Sequence, residues 1–429
     1  MTVPRGGPVS THANSRSVIL DAVRAAGTIS RVEIVRQTGL TGATVSTVVR
    51  RLIDEGIVAE IGTAESTGGK PRTILRLEPS ARYAVGVHLD HGGVTYVVTD
   101  LAGEIVARTR RPGIGDAGPQ DVVTRITGEI GALVAVAGVA RSRLLGVGVC
   151  LPGPVFQTPA DAVVPPTIAQ WSDFPLRDAL ERSVGLPTLM DNDATAGALG
   201  EHWARGVPGS VCFGAVYMGT GIGGGLIVGG VPYWGASGNT MEIGHVCVDL
   251  DGPPCWCGNR GCVEALAGPA TVVAAARAAG LLDGPARSVV ADFAAVARAA
   301  SQGDDAALAL LQDSARYVAV AAHTMATVMD ADHVVLTGPS FGAAGAIYLP
   351  VVREELEKRY FARGTHPVGV TISQHAYEAA AVGAAAMVLQ TELVPRQLGI
   401  VLPAAGRLDT ATTAVRPLQD APGPASAAG

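Results

Sequence analysis

Three helical stripes and a pair of alternating runs occupy residues 13–79. In the first, Val18, Ile19, Ala22 and Val23 share one face of about ten residues, capped by Asn14 and stopped by Gly27. Ser30 and Glu33 form a capping box opening a second short helix with Val32, Ile34 and Val35. Gly39 ends it, and Thr41 caps a third helix whose Val45, Val48, Val49, Leu52 and Ile53 fall on one face. After Gly56, two strand-like runs, Ile57–Ile61 and Thr73–Leu77, flank the loop Ser66–Arg72, STGGKPR. Helix, helix, tight turn, helix and hairpin predict a winged helix-turn-helix. The polar face of the third helix, with Thr41, Thr44, Ser46, Thr47, Arg50 and Arg51, suits a DNA major groove. Lys70 and Arg72 in the wing suit phosphate or the minor groove. The same pattern also fits a protein–protein module with a solvated polar face.

From Tyr83 the periodicity changes. Ala84–His88 and Val94–Thr99 are strand-like, with a turn at Asp100–Gly103. Helical stretches and strands then alternate through Asp121–Val136, Gly146–Cys150, Leu176–Ser183, Pro187–Met190, Ala194–Arg205 and Val211–Tyr217. A second glycine-rich strand–turn–strand, AVYMGTGIGGGLIVGG, begins at Ala215. Two such hairpins, one near the start of each half, predict an internal duplication around a cleft. Helices follow at Ala270–Ala279, Val289–Ser301 and Asp304–Val328, a strand at Val334–Thr337, and helices from Tyr348 and Tyr377. The tail from Pro395, ending DAPGPASAAG, is expected to be disordered.

Composition narrows the class. With 48% hydrophobic, 16% charged and only 4% aromatic residues, a globular protein with an aliphatic core is expected. No apolar run approaches the roughly 20 residues that span a bilayer, and the polar N-terminus lacks a signal peptide's apolar segment. A cytoplasmic protein with no membrane contact is expected, so the six cysteines read as metal ligands or buried thiols rather than disulfides. Residues 1–80 carry ten Lys and Arg against seven Asp and Glu, while the whole chain is at −6. A basic head on an acidic body points to a polyanion-binding module.

Candidate chemistry concentrates between Glu242 and Glu264, EIGHVCVDLDGPPCWCGNRGCVE. His245, Cys255, Cys257 and Cys262 make a tetrahedral zinc set, and a closed four-ligand site implies a structural ion. The Gly- and Pro-rich loop 251–261 cannot order itself through regular structure, whereas a metal can order it. A disulfide between two of these cysteines is the alternative. Cys150, Cys212 and Cys247 lie in apolar runs and are expected to be buried.

On these residues the chain resembles the ROK family (repressors, open reading frames and sugar kinases), most of all its repressor branch. The resemblance rests on Glu242–His245 (ExGH), Cys255–Glu264 (CxCGxxGCxE), the NDA segment Asn192–Ala194, the glycine loop Gly219–Gly225 and the LPGP turn Leu151–Pro154. It implies an α/β chain: a winged helix-turn-helix at 13–79, then a two-lobed actin-like ATPase fold at 83–394. One lobe would span 83–200 plus a C-terminal helix near 377–391, the other 201–376. It also implies zinc on His245, Cys255, Cys257 and Cys262, and sugar contacts from Asn192, Asp193, Glu242, His245 and Glu264. Asp193 matches the kinases' general base. Asn192 or Asp193 could instead simply cap the helix that follows, and both roles can coexist.

The first phosphate loop departs from the kinase pattern. His88 takes the place of its Asp, and Asp90 and His91 replace two glycines that let a phosphate approach backbone amides. Asp90 adds like charge, a repulsion of about 4 kcal/mol per pair at ~4 Å in an effective dielectric of about 20. The adenosine region Leu336–Ser340 is poor in glycine, while the second loop (Gly219, Thr220, Gly221) stays permissive. Met241 stands where many relatives have a small residue, reshaping the pocket. The expected protein is therefore a sugar-responsive regulator: no ATP, structural zinc, a DNA operator, a sugar or sugar phosphate, and a homodimer or homotetramer reading two half-sites. The rivals are an ATP-dependent sugar kinase with a DNA-binding head and a DNA-bound scaffold with a vestigial cleft.

Overall fold

Ser30 and Glu33 satisfy each other's backbone at the start of the second helix, with the Ser30 amide donating to the Glu33 carboxylate at 2.8 Å. The computed structural model describes residues 11–64, 72–115, 117–153, 174–204, 210 and 212–393. In the head, α1 (Thr11–Ala26), β1 (Ile29–Ser30), α2 (Arg31–Thr38) and α3 (Gly42–Asp54) precede the wing strands β2 (Val58–Ala64) and β3 (Arg72–Leu77). Gly39 ends α2 at φ 69°, a left-handed conformation that glycine adopts without strain. Val45, Val48, Val49 and Leu52 of α3 bury against Ile19, Leu20, Val23 and Ile34, with Leu75 and Leu77 of the wing above them. One expectation needs correction, and one element was not expected. α1 already begins at Thr11, so Asn14 lies inside it rather than capping it. Ile29–Ser30 is a strand pairing with Ile74 and Leu75, too short for any periodicity to reveal. The loop residues 65–71, Lys70 among them, and the tail from 394 lie outside the described residues.

The first body sheet comprises β4 (Tyr83–Leu89), β5 (Gly93–Asp100), β6 (Ile105–Pro112), β7 (Leu144–Leu151) and β8 (Thr188–Asn192), with α4 (Pro119–Val136) and α5 (Leu176–Val184) in its connections. After α6 (Asp193–Trp203) the second follows: β9 (Cys212–Met218), β10 (Ile222–Val228) and β11 (Val231–Pro232), then α7 (Val263–Ala267), α8 (Pro269–Ala278), α9 (Val289–Ser301) and α10 (Asp305–Met329). It closes with β12 (His333–Thr337), α11 (Pro339–Arg359) and β13 (Gly369–Ile372), before α12 (Ala379–Leu393). The strand orders are β6-β5-β4-β7-β8 and β11-β10-β9-β12-β13. In each, a central strand pairs antiparallel on one side and parallel on the other, so the duplication expected from the hairpins is present in the topology. α11 starts nine residues ahead of the expected Tyr348. The missing side chains of Gly342 and Gly345 let its first turns lie against Tyr377 and Ile372.

α6 and α12 cross at backbone distance. A Cβ on Gly383 would sit 1.6 Å from the Ala196 carbonyl oxygen, and one on Gly200 2.1 Å from that of Ala379. On its other side α6 meets β10, where a Cβ on Gly225 would lie 2.5 Å from the Ala194 carbonyl oxygen. α6 thus runs between the two sheets, and its C-terminal end carries the head. Arg24 of α1 is 2% exposed; its guanidinium lies 4.7 Å over the Trp203 ring and 3.0 Å from His202 Nε2, and it pairs with Asp21 at 2.8 Å. Burial and then the Arg24 charge hold His202 well below its ordinary pKa, so its ring is neutral and Nε2 accepts.

Candidate functional site

His245 closes a short 3-10 turn, Ile243–His245, and Cys262 is the residue before α7. Between them the loop folds back on itself, with the Cys255 amide donating to the Asn259 carbonyl at 2.8 Å and Gly261 to Pro253 at 2.9 Å. His245, Cys255, Cys257 and Cys262 converge, one ligand atom from each lying within 4.8 Å of all the others. The Cys257 and Cys262 sulfurs are 3.7 Å apart. A disulfide needs about 2.05 Å, whereas two thiolates on one tetrahedral ion with bonds of about 2.3 Å stand roughly 3.8 Å apart. All six cysteines are free thiols. The donor set and its spacing therefore fit a four-coordinate metal ion. Cys150 is buried and Cys212 half-buried, but Cys247 is exposed: it follows the His245 turn in loop backbone rather than in an apolar strand.

The acidic residues gather beside this loop. Asn192 caps α6, its Oδ1 accepting from the Ala194 and Thr195 amides at 2.8 and 3.2 Å, while its Nδ2 donates to the Gly153 carbonyl at 3.3 Å. Asp193 is the first residue of α6 and largely buried. Glu242 is pushed up to about 7, first by burial and then by the charges of Asp193 and Glu264. Glu264 accepts from the Trp256 indole at 2.6 Å and the Ile222 amide at 2.9 Å. It thus ties the cysteine loop to the β9–β10 turn, and a Cβ on Gly221 would lie 2.5 Å from its Oε2. Met241 holds φ at 58°, a left-handed conformation costing a bulky residue roughly 1–2 kcal/mol. That backbone accounts for a small residue suiting the position.

The sequence did not single out Asp191, Trp234 or Tyr217. Asp191 is almost fully buried and accepts from the Trp234 indole at 2.7 Å, pinning β8 to the chain after β11. Burial pushes its carboxyl up to about 6, against the opposing donors Trp234 and Asn192. Because the folded value lies above the unfolded one, stability falls as pH rises from about 4 to 6, by about 3 kcal/mol in total. Urea unfolding at pH 4.5 and pH 7 is expected to show about 2 kcal/mol of this loss in the native chain and less in Asp191→Asn.

The two phosphate-type turns are bound to the chain's own side chains. His88 Nε2 lies 3.6 Å from Asp193 Oδ2 and 3.4 Å from the Tyr217 hydroxyl. Asp90, buried, meets the Thr220 hydroxyl. Gly219 offers its carbonyl to the Ser340 hydroxyl at 2.8 Å, so the segment Leu336–Ser340 packs on the second turn. In the head, Thr41 caps α3 and shares a 2.9 Å hydroxyl contact with Thr44. Ser46, Thr47, Arg50, Arg51 and Arg72 are exposed, and among the described residues neither Arg50 nor Arg51 is in an ion pair.

A model of the ROK family matches residues 85–391, most of the chain. The chain belongs to the ROK family. A winged helix-turn-helix DNA-binding model matches residues 16–59 of this ROK protein. It is 29% identical over 386 residues to a putative xylose repressor of Caldicellulosiruptor, covering 88% of this chain and 96% of that one. It is also 30% identical over 324 residues to a glucokinase of Halalkalibacterium halodurans, covering 73% of this chain and 97% of the kinase. A solved ROK family transcriptional regulator, described as a homolog of the E. coli MLC protein, superposes with a TM-score of 0.68. At 22% identity, over 89% of this chain and 96% of that one, it bears on the fold alone. No helix among the described residues is long and apolar enough to cross a membrane.

Proposed function

We propose that this ROK protein is a sugar-responsive transcriptional repressor that has lost kinase activity. Its head would bind a DNA operator, and a carbohydrate would bind beside Asn192, Asp193, Glu242, His245 and Glu264. One observation carries most weight. The same helix, α6, begins at Asn192–Asp193, which we assign to the sugar, and ends on His202 and Trp203, where Arg24 of the head is buried. A kinase has no need of that joint. The relative named as a xylose repressor, which spans both head and body, supports the same assignment.

Zinc is the metal we assign to His245, Cys255, Cys257 and Cys262. When bound it would neutralise the thiolates and fix the loop carrying Trp256, which in turn holds Glu264. Cys255 and His245 approach through Nδ1 at 3.6 Å, so the second ring nitrogen is left for a ligand hydroxyl. Loss of phosphoryl transfer follows from His88 engaging the carboxylate of Asp193 and Asp90 engaging Thr220. The assembly would be a homodimer or homotetramer reading two half-sites.

The deciding measurement is operator selection with the purified chain, repeated with a panel of monosaccharides. A sugar should change operator affinity by about 5- to 150-fold, the range of ordinary allosteric coupling. Magnesium-dependent phosphorylation of any sugar would favour the glucokinase-like rival instead. In the head, Arg50→Ala and Arg72→Ala should each weaken operator binding and lower the salt slope by about one, Arg72→Ala uniformly across sequences and Arg50→Ala with relaxed specificity at the base pair it reads. An unchanged slope in both would place the DNA face elsewhere.

A further inference from the structure

The two glycine-rich turns face each other across the lobes, and a carboxylate of the chain itself joins them. Thr220, in the β9–β10 turn, donates its hydroxyl to Asp90 of the β4–β5 turn, with Oδ1 and Oδ2 at 3.0 and 3.1 Å. Asp90 Oδ1 also accepts the His91 amide at 2.7 Å. Hydroxyls and backbone amides are the donors that a phosphoryl oxygen would ask for, and a carboxylate uses them in the same way. An anion is already seated between the turns.

The surroundings carry charge of the same sign. Glu264 abuts Gly221, one residue from Thr220. Burial, then the charges of Asp193 and Glu264, push the Glu242 carboxyl up to about 7, so near neutral pH it adds only part of a charge. His88 is engaged by Asp193 and Tyr217. Arg110, exposed on β6, lies against Gly93 at the start of β5. Three thiolates on a divalent zinc would add a further net negative charge.

We infer that Asp90 is a built-in occupant of the seat where a phosphoryl group would lie, and that the effector is a sugar bearing neither phosphate nor carboxylate. This rests on the sugar-sensing assignment above and narrows it: the pocket reads hydroxyl groups through acceptors and turns away anions. A phosphate ester would have to displace Asp90 from Thr220 and then sit among the remaining carboxylates.

Calorimetric titration of the full chain with glucose, xylose and N-acetylglucosamine, each beside its phosphate ester, tests this. Whichever sugar binds should do so at least about 100-fold more tightly than its ester. Asp90→Asn keeps the size of the side chain and a partner for Thr220 but removes the charge, and should narrow that ratio to about tenfold or less. An ester binding more tightly than its sugar overturns the inference and leaves the sugar sensor standing, as does a ratio unchanged in a folded Asp90→Asn. If neither sugars nor esters bind, the sensing assignment itself fails and this inference with it. Should Asp90→Asn fail to fold, the ratio in the native chain decides alone.

Discussion

Cys262→Ser is expected to strip the metal and lower the melting temperature by roughly 6–20 °C, while operator binding by the head survives. Cys262 is fully buried at the start of α7, and the cluster's other three ligands come from loops and a single turn. Without the ion, the thiols of Cys255 and Cys262, whose pKa values burial raises, are protonated and the loop loses its cross-link. Losing a structural metal or a buried network costs about 3–5 kcal/mol, and each kcal/mol moves the melting point by roughly 2–4 °C in a domain of this size. The sugar response should vanish with it, since Trp256 positions Glu264 and the same carboxylate holds the Ile222 amide. Metal analysis and differential scanning calorimetry of both proteins check this. A native chain that contains no zinc and melts at the same temperature as Cys262→Ser would remove the ion from the account.

Arg24→Ala should leave sugar affinity within about twofold yet abolish the effect of sugar on operator binding, a loss of about 1–3 kcal/mol of coupling. The guanidinium is buried at the joint, where it stacks on Trp203, meets His202 and pairs with Asp21. A desolvated cation–π contact is worth about 2 kcal/mol, and removing one partner of a buried charge network costs more than the contact itself. Lysine at this position keeps the charge but not the planar fork, so Arg24→Lys should recover only part of the coupling. Titrating operator binding with and without sugar separates the outcomes. Coupling that survives Arg24→Ala would mean that the head takes its signal through another contact.

The winged head was legible because each of its signals is local: the Ser30–Glu33 box, the Gly39 stop and the apolar face of α3 all sit where periodicity placed them. The metal cluster was legible because four ligands lie within eighteen residues of chain, His245 to Cys262. What escaped was decided by long-range packing. Asp191 faces Trp234 only after β8 and β11 have been placed in different sheets, and Arg24 meets His202 across 178 residues. The residues His88, Asp90 and His91 of the first turn could be read, but not that Asp90 finds a hydroxyl donor on the opposite turn. The start of α11 escaped for a related reason: Gly342 and Gly345 carry little helix signal of their own, and that stretch is held by its close approach to Tyr377 and Ile372.

The rim strands of the two sheets are guarded in unlike ways. β6 carries Arg108 and Arg110 on one face and Arg111 on the other, Arg108 paired with Glu378 and Arg111 with Glu129, and it ends at Pro112, a residue with no amide hydrogen to offer. β11, on the other sheet, is only two residues long and offers a stray chain almost nothing to pair with. At these two rims the first sheet should therefore resist edge-to-edge pairing through Pro112 and the second through brevity, neither of which salt weakens.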